Sequence, residues 1–272
     1  MSLDAVLKRD RAIVLLSLTT MVALAWGYIL AGAGTGMPAL EMSGFPSAAG
    51  AMAGMEPVAW TAGYAALMLA MWWLMMVAMM LPSAAPMILL FAALARTQAT
   101  GTVPAVPVAG FLAGYLTVWG GFSLATVALQ WALDAVALLS PEMALASVAV
   151  GAALLIGSGA WQFTSAKEAC LDKCRSPFHF LTEHWRSGTG GAWRMGTAHG
   201  VYCLGCCWML MLLLFYGGVM NVYWIGGLAI YVLIEKTAKT SWWVGRLTGL
   251  ALIAWGTVLL VGLADPGWLR SF

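Results

Sequence analysis

Long apolar segments that are almost free of charge recur along the chain and limit its fold more than any other feature. Seven such segments cover residues 12–31, 61–81, 106–133, 144–163, 197–215, 222–234 and 247–263. A helix needs about 20 apolar residues to cross the roughly 30 Å of hydrocarbon in a bilayer. Only 9% of the residues are charged, whereas a soluble domain carries about 25%. The sequence therefore predicts an all-α, polytopic transmembrane helix bundle of about seven helices, multi-pass in the cell inner membrane, with the lipid bilayer as a partner.

Three segments have features of their own. The sixth is short, and we expect its helix to begin near Asn221, after a tight turn at 217–220. The second runs into Pro82 and Pro86 and resumes as 87–95; the two prolines remove two backbone donors and predict a kink or break. The first follows three basic residues and could be a signal peptide, but its apolar run exceeds the roughly 7–15 residues of a signal core. We therefore expect it to be retained as a helix.

The basic residues sort to one side of the membrane when the N-terminus is placed in the cytoplasm. The inner side then holds Lys8, Arg9, Arg11, Arg96, Lys167, Lys173, Arg175, Arg186, Arg194, Lys236, Lys239 and Arg246. The outer side holds only Arg270. Cytoplasmic loops are the ones enriched in Lys and Arg. The pattern predicts a single integral membrane domain over 1–272, with the N-terminus cytoplasmic, the C-terminus outside and 164–196 as a cytoplasmic loop.

All five cysteines fall in one region of the chain, together with a histidine. The set consists of Cys170 and Cys174 in the loop 164–196, and His199, Cys203, Cys206 and Cys207 in or next to the fifth segment. Residues four apart share one face of a helix, which groups the two loop cysteines and aligns the histidine with two of the others. The topology places all of them on the cytoplasmic side, where thiols stay reduced. We expect free thiols that converge at the inner ends of the fourth and fifth segments.

Thiolates with one imidazole suit Cu(I), Zn(II) or an iron–sulfur cluster and do not suit Mg(II) or Ca(II). Three nearby cations, Lys167, Lys173 and Arg175, favour thiolate over thiol. We therefore predict a bound soft transition metal, Cu(I) or Zn(II), with the six residues of the cluster as candidate ligands. The alternative interpretation is that the cysteines only pack, since a free cysteine behaves as a small apolar side chain.

Methionines in the second segment give a weaker indication of the same chemistry. Met71, Met75 and Met79 lie at i, i+4 and i+8, and thioethers favour Cu(I) among the common metals. Met75 and Met79 are at the level of the cysteines in the expected topology, so they join the candidate ligands. Packing is again the alternative, because methionine is a common filler of apolar cores.

The remaining polar residues are weaker candidates. Glu235 and Lys236 end the sixth segment, where we expect them to be solvated or paired with each other, or to support the metal site. His179 and His184 are loop residues that could add ligands. Triad, phosphate-loop and His-x-x-x-His patterns are missing, which argues against classical hydrolases, NTPases and zincins. Basic residues do not cluster beside aromatic ones, so no nucleic-acid partner is expected.

Four motifs taken together resemble a bacterial family described as predicted metal-binding integral membrane proteins, formerly a domain of unknown function. They are residues 71–87, Cys170-x-x-x-Cys174-Arg-Ser-Pro, Gly196-x-x-His199-Gly-x-x-Cys203-x-Gly-Cys206-Cys207-Trp208, and Gly218-Val-Met220-Asn221 with Glu235-Lys236. The resemblance covers about residues 60–240. It implies a bound metal of unspecified identity and no established reaction.

Three functions are compatible with these residues. The leading one is metal handling or a metal-containing subunit of a membrane complex, with other membrane subunits or a metal-delivery protein as partners. The second is a membrane thiol–disulfide oxidoreductase, in which Cys203 and Cys206 form the redox pair and Cys170 or Cys174 resolves it. Against this second function, the sequence lacks a thioredoxin-like pattern and an outer cysteine to receive electrons. The third is a structural subunit whose cysteines only pack; whether the chain is an enzyme stays open.

Overall fold

The computed structural model describes residues 3–36, 38–43, 59–98, 105–140, 143–238 and 241–264, and most of these residues are helical. The helices are α1 (Leu3–Leu30), α2 (Ala39–Met42), α3 (Ala62–Gln98), α4 (Ala105–Ala135), α5 (Val148–Trp161), α6 (Ser165–Arg175), α7 (Pro177–His184), α8 (Gly188–Leu212), α9 (Leu214–Gly217), α10 (Val222–Thr237) and α11 (Ser241–Ala264). The predicted all-α class is confirmed.

Five of these helices are long and apolar enough to span a membrane: α1, α3, α4, α8 with α9, and α11. A sixth span results if α5 and α6, which meet at a bend of 62°, are counted as one. Helix α10 has 16 residues, which rise about 24 Å and fall short of the hydrocarbon thickness. A multi-pass membrane protein with five to six candidate spans is therefore confirmed. The count of seven and the orientation stay predictions.

Helices α3 and α8 lie at the centre of the bundle, and α1 and α11 lie at its rim. Most of the apolar stretch of α3 and α8 is buried by neighbouring helices, whereas little of α1 and α11 is. The rim helices expose large apolar side chains such as Leu16, Leu24 and Leu247. In a soluble protein such surfaces would be costly, but lipid covers them in a membrane.

Glycines allow α4 and α8 to pack closely. Gly110 and Gly114 on α4 pack against α8, and Gly196 and Gly200 on α8 pack against α4; the two glycines of each helix are four residues apart. A Cβ added to Gly196 would lie 2.7 Å from the carbonyl carbon of Phe111, and one added to Gly114 would also lie too close to α8. Small residues four apart are typical of close helix contacts in membranes. Helix α8, which carries three of the cysteines, is thus held tightly against α4.

Of the predicted kink or break at Pro82 and Pro86, the break is not present, since α3 stays helical through both prolines; a kink stays a prediction. The surroundings of α3 explain why it does not break. Leu81, Ala84 and Met87 on the same stretch are buried by neighbouring helices. Proline is tolerated inside a spanning helix where neighbouring helices and hydroxyl groups satisfy the backbone.

The expected start of α10 is confirmed. The Asn221 side chain accepts hydrogen bonds from the backbone N–H groups of Tyr223 (3.1 Å) and Trp224 (3.2 Å), which caps the helix. Gly218 turns the chain with a φ of 91°, a conformation that favours glycine.

Inside the predicted loop 164–196, the chain is mostly helical, since it contains α6, α7 and the first turns of α8.

Candidate metal centre

The five cysteines meet where α6 packs against α8. Cys203, Cys206 and Cys207 are fully buried on α8, Cys170 and Cys174 are partly exposed on α6, and all five are free thiols. The Cys174 thiol lies close enough to the Cys203 and Cys206 thiols to interact with both. The structure thus brings together the two groups of cysteines that the sequence placed at neighbouring helix ends.

Cys170 lies at the edge of this cluster. Its Sγ atom would be 2.6 Å from a Cβ at Gly205, so the absence of a side chain at Gly205 makes room for the thiol on α8. Cys170 is also close enough to Cys206 for the two thiols to interact electrostatically. Because it is partly exposed, Cys170 connects the buried thiols with the surface of the protein.

A thioether from α3 completes the sulfur cluster. Sγ of Cys207 lies 3.9 Å from Sδ of Met80, and both side chains are buried. The thiols of Cys206 and Cys207 both donate to the backbone carbonyl of Cys203 at 3.0 Å, which orients them. Met75 and Met79 are also buried on α3, near Met80 along the helix. Ligation by Met75 and Met79 stays a prediction.

Lys236 reaches directly into the cluster. Its Nζ atom lies 2.9 Å from Sγ of Cys203 and 3.3 Å from Oγ of Ser83, and the residue is only 7% exposed. Lys236 is therefore neither at the surface nor paired with Glu235, and a role of this lysine at the metal site stays a prediction. An ammonium group can only donate. The sulfur of Cys203 therefore accepts, and the buried positive charge stabilises a thiolate.

Tyr115 on α4 is a second donor near the same sulfur. Its hydroxyl oxygen lies 3.1 Å from Sγ of Cys203 and 3.2 Å from the carbonyl oxygen of Met80, and its single proton can be donated to either of them. Sequence reasoning missed this contact, because Tyr115 stands in an apolar segment far from the cysteines along the chain. Only the close packing of α4 on α8 brings it to the site.

His199 is buried among aromatic rings beside the thiols. Its ring stacks on Tyr115 with centroids 5.6 Å apart and meets Phe180 edge-on at the same distance. The ring interacts electrostatically with Cys203 and Cys206, and its buried Nδ1 atom has no hydrogen-bond partner. A buried polar atom without a partner is uncommon, and here it is compatible with metal ligation.

The other two histidines have partners of their own on α7. Nε2 of His179 lies 3.0 Å from Oε1 of Glu183, and Nδ1 of His184 lies 3.0 Å from the carbonyl oxygen of Phe180. They are helical rather than loop residues. Their role as ligands, raised from the sequence, gains no support from these contacts.

A buried polar network joins α6 to α10 next to the thiols. Nζ of Lys167 lies 2.5 Å from Oε1 of Glu235 and also bonds the side chain of Gln162. The Tyr231 hydroxyl donates to the same carboxylate at 3.1 Å, and Arg175 donates twice to the backbone carbonyl of Glu235. The expectation that Glu235 is solvated or paired with its neighbour is therefore wrong, because its partner is on another helix. The network fixes α6, and so Cys170 and Cys174, against the helix that carries Lys236.

The donor set is soft and poor in the ligands of hard metals. Among the residues that the structure describes, no group of three or more His, Cys, Asp and Glu side chains lies in an arrangement that could hold a metal ion. What does meet is a set of thiols with the thioether of Met80. Structural zinc takes four N or S ligands in a closed tetrahedron, whereas thiolate and thioether together favour Cu(I). The chemistry of the site therefore fits a Cu(I) cargo better than structural zinc.

Comparison with known proteins supports the same metal. A family model described as PpoB2, copper chaperone, matches residues 69–259, which include every cysteine, Met80 and Lys236. No curated protein and no solved structure matches the chain. Because the model covers well over half of the 272 residues, the chain belongs to the PpoB2 copper chaperone family.

Proposed function

We propose that this membrane protein binds Cu(I) through Cys203, Cys207 and Met80 and delivers it to a copper-accepting partner. The observation that carries the proposal is the approach of the Cys207 thiol to the Met80 thioether, 3.9 Å apart in the bundle interior. Thiolate with thioether is a ligand combination selective for Cu(I). Family membership agrees with copper, and nothing in it supports the zinc alternative.

The neighbouring residues have distinct proposed roles. Cys206 and Cys174 lie close enough to each other and to the proposed ligands to interact with them, so they can exchange with the ligands as Cu(I) enters or leaves. Cys170, the partly exposed thiol, is the first point of contact for an incoming ion. His199 contributes its unpartnered Nδ1 as an additional ligand.

Lys236 adjusts how strongly the site holds its cargo. Without copper, its ammonium neutralises the Cys203 thiolate at 2.9 Å, as a buried charge requires. Cu(I) and the ammonium compete for the same sulfur, so loading displaces Lys236 toward Ser83, whose hydroxyl is already 3.3 Å from Nζ. A chaperone has to release its ion, and this competition limits the affinity.

The orientation of the site follows from the distribution of basic residues. Placing the cysteines on the cytoplasmic side of the inner membrane gives an entry site for copper from the cytosol. Seven spans would result if α10 crosses the membrane despite its length and α5 with α6 forms one bent span. The copper-accepting partner then meets the protein within or across the membrane.

The test is a Cu(I)-binding measurement on the purified full chain in detergent, under anaerobic conditions and against a Cu(I) chelator of known affinity. Cys203→Ser and Cys207→Ser should each remove most of the tightly bound copper while the protein stays folded, because each substitution removes a soft ligand. His199→Ala should lower the affinity in the same assay. Met195→Leu, a buried methionine on α8 outside the sulfur cluster, is the matched control and should bind as the parent does.

Two results would contradict the proposal. Copper content at the parent level in both cysteine variants would show that the sulfur cluster is not the site. Metal-free protein whose thiols cycle reversibly between disulfide and thiol would instead favour the oxidoreductase alternative.

A further inference from the structure

A buried glutamine lies in the half of the bundle away from the cysteines. Gln130 on α4 is 1% exposed, and its Oε1 accepts a hydrogen bond of 2.8 Å from the indole of Trp72. That contact fixes the orientation of the amide. Its Nε2 then faces two thioethers, with Sδ of Met143 at 3.2 Å and Sδ of Met68 at 3.6 Å. Two methionine sulfurs from distant parts of the chain thus converge on one nitrogen atom.

The backbone at Met143 is held in an unfavourable conformation. Its φ is 56°, a left-handed value that costs a residue with a side chain about 1–2 kcal/mol. Surrounding contacts impose it: Leu139 and Leu145 form an antiparallel bridge, and the Leu145 N–H donates to the carbonyl of Phe215 at 2.7 Å. Backbone strain of this kind persists where the structure over-determines it, often at functional positions. Here it directs a thioether towards Gln130.

We propose that Met68 and Met143 form a second Cu(I) site, held in place by Gln130. Thioethers select Cu(I) among the common metal ions, so the cargo is the same as at the cysteines. Met68 is fully buried, whereas Met143 is partly exposed. The site is therefore open towards the end of the bundle opposite the cysteines.

This inference rests on the proposed function, because α3 connects the two sites. Met80 contacts the cysteines, and Met68 lies twelve residues earlier on the same helix, a rise of about 18 Å. The buried methionines between them are Met71, Met75, Met76 and Met79. A row of thioethers therefore runs through the interior from one site to the other. Cu(I) moves along such a row by ligand exchange, without a change of oxidation state.

The charges of the ligands predict different affinities for Cu(I) at the two sites. Thiolates neutralise Cu(I), whereas the ligands at Met68 and Met143 are neutral and leave its charge uncompensated. The thioether site therefore binds the ion more weakly than the cysteine site. It serves as the site of departure, and an acceptor with stronger ligands provides the free energy for transfer.

The test uses the full chain in detergent, loaded anaerobically with Cu(I) and labelled with selenomethionine so that X-ray absorption separates Cu–Se from Cu–S contacts. The first variant, Cys203→Ser with Cys207→Ser, should lose the tightly held ion and retain one chelator-labile ion with Cu–Se contacts. The second, Met68→Leu with Met143→Leu, should lose the labile ion and retain the tight one. Met195→Leu again serves as the control for loss of a buried thioether.

The outcomes separate the two proposals. If the Met68→Leu, Met143→Leu variant binds as much copper as the parent, the thioether site is wrong and the cysteine site stands. If the cysteine variant keeps the tight ion, the proposed function is wrong whatever happens at Met68. When the four substitutions are combined, a Cu–Se signal that persists would also overturn the assignment to Met68 and Met143.

Discussion

Lys167→Met tests whether the buried ion pair holds α6 in place. The substitution keeps most of the side-chain volume and removes the ammonium that lies 2.5 Å from Glu235. The two side chains are only 3% and 1% exposed, so the carboxylate would be left buried without its counter-ion. Because Lys167 is on α6 with Cys170 and Cys174, and Glu235 is on α10 next to Lys236, the disturbance lies where the helix of these two cysteines meets the helix of Lys236.

The loss of stability in Lys167→Met can be worked out from the surroundings of the ion pair. Breaking a buried ion pair by removing one partner costs about 3–5 kcal/mol. A cavity of about 70 Å³ adjoins Lys167 and Glu235, and a water molecule occupies about 30 Å³ in the liquid. Water entering there reduces the penalty, so we expect about 3 kcal/mol, a large part of the roughly 5–15 kcal/mol that stabilises a typical protein.

Removing both charges should restore most of the stability. In the double variant Lys167→Met with Glu235→Gln, no unpaired charge remains, and the new amide can still accept from Tyr231, which now donates to the carboxylate. Replacing both members of a buried pair with neutral groups is often close to neutral.

The assay is unfolding of the full chain in mild detergent by titration with a denaturing detergent, followed by helix content. The rate at which a thiol reagent labels Cys174 reports in parallel whether α6 has separated from α8. Lys173→Met is the matched control: it lies on the same helix, and its pair with Glu183 is exposed, with side chains 29% and 39% accessible. Exposed pairs contribute little, so the control should unfold like the parent. A Lys167→Met variant as stable as the control, or a double variant no better than the single one, would refute this reasoning.

Three further predictions concern topology, packing and the methionines. A reporter active only outside the membrane should be active when fused after the last residue and silent when fused near Gly190; the reverse would overturn the orientation. Gly196→Ala should cost about 1–3 kcal/mol through overpacking in the same unfolding assay, since its Cβ would lie 2.7 Å from a backbone carbon of α4, whereas Gly27→Ala meets no neighbour and should not destabilise. Met75→Leu should cost less than about 1.5 kcal/mol if Met75 only packs, and a selective loss of Cu(I) from this variant would place it on the copper pathway.

The sequence predicted what depends on local spacing. Cysteines four residues apart share a helix face, so the grouping of Cys203 with Cys207 and of Cys170 with Cys174 follows from their spacing alone. The helix start at Asn221 is equally local, because a capping side chain bonds backbone groups only two or three residues away. The long apolar spans were visible for the same reason.

What the sequence left open depends on contacts between distant segments. Adjacent charges such as Glu235 and Lys236 suggest a pair at the surface, yet the rotation of α10 directs one towards α6 and the other towards Cys203. Met80 could not be distinguished from Met75 or Met79, since all three lie in the same methionine-rich stretch of one helix. The helix does not break at the prolines because the packing around α3 compensates for the backbone hydrogen bonds that proline removes.

Because α4 packs closely against α8, one part of the sulfur cluster is rigid and the other part can move. Cys203 and Cys207 lie on a helix whose backbone touches its neighbour, so their spacing cannot adapt without separating the two helices. Cys174 lies on α6, which polar side chains attach to α10. An acceptor protein that approaches the cluster would therefore displace Cys174 first, and the protein would release its cargo by moving one short helix while α4 and α8 stay unchanged.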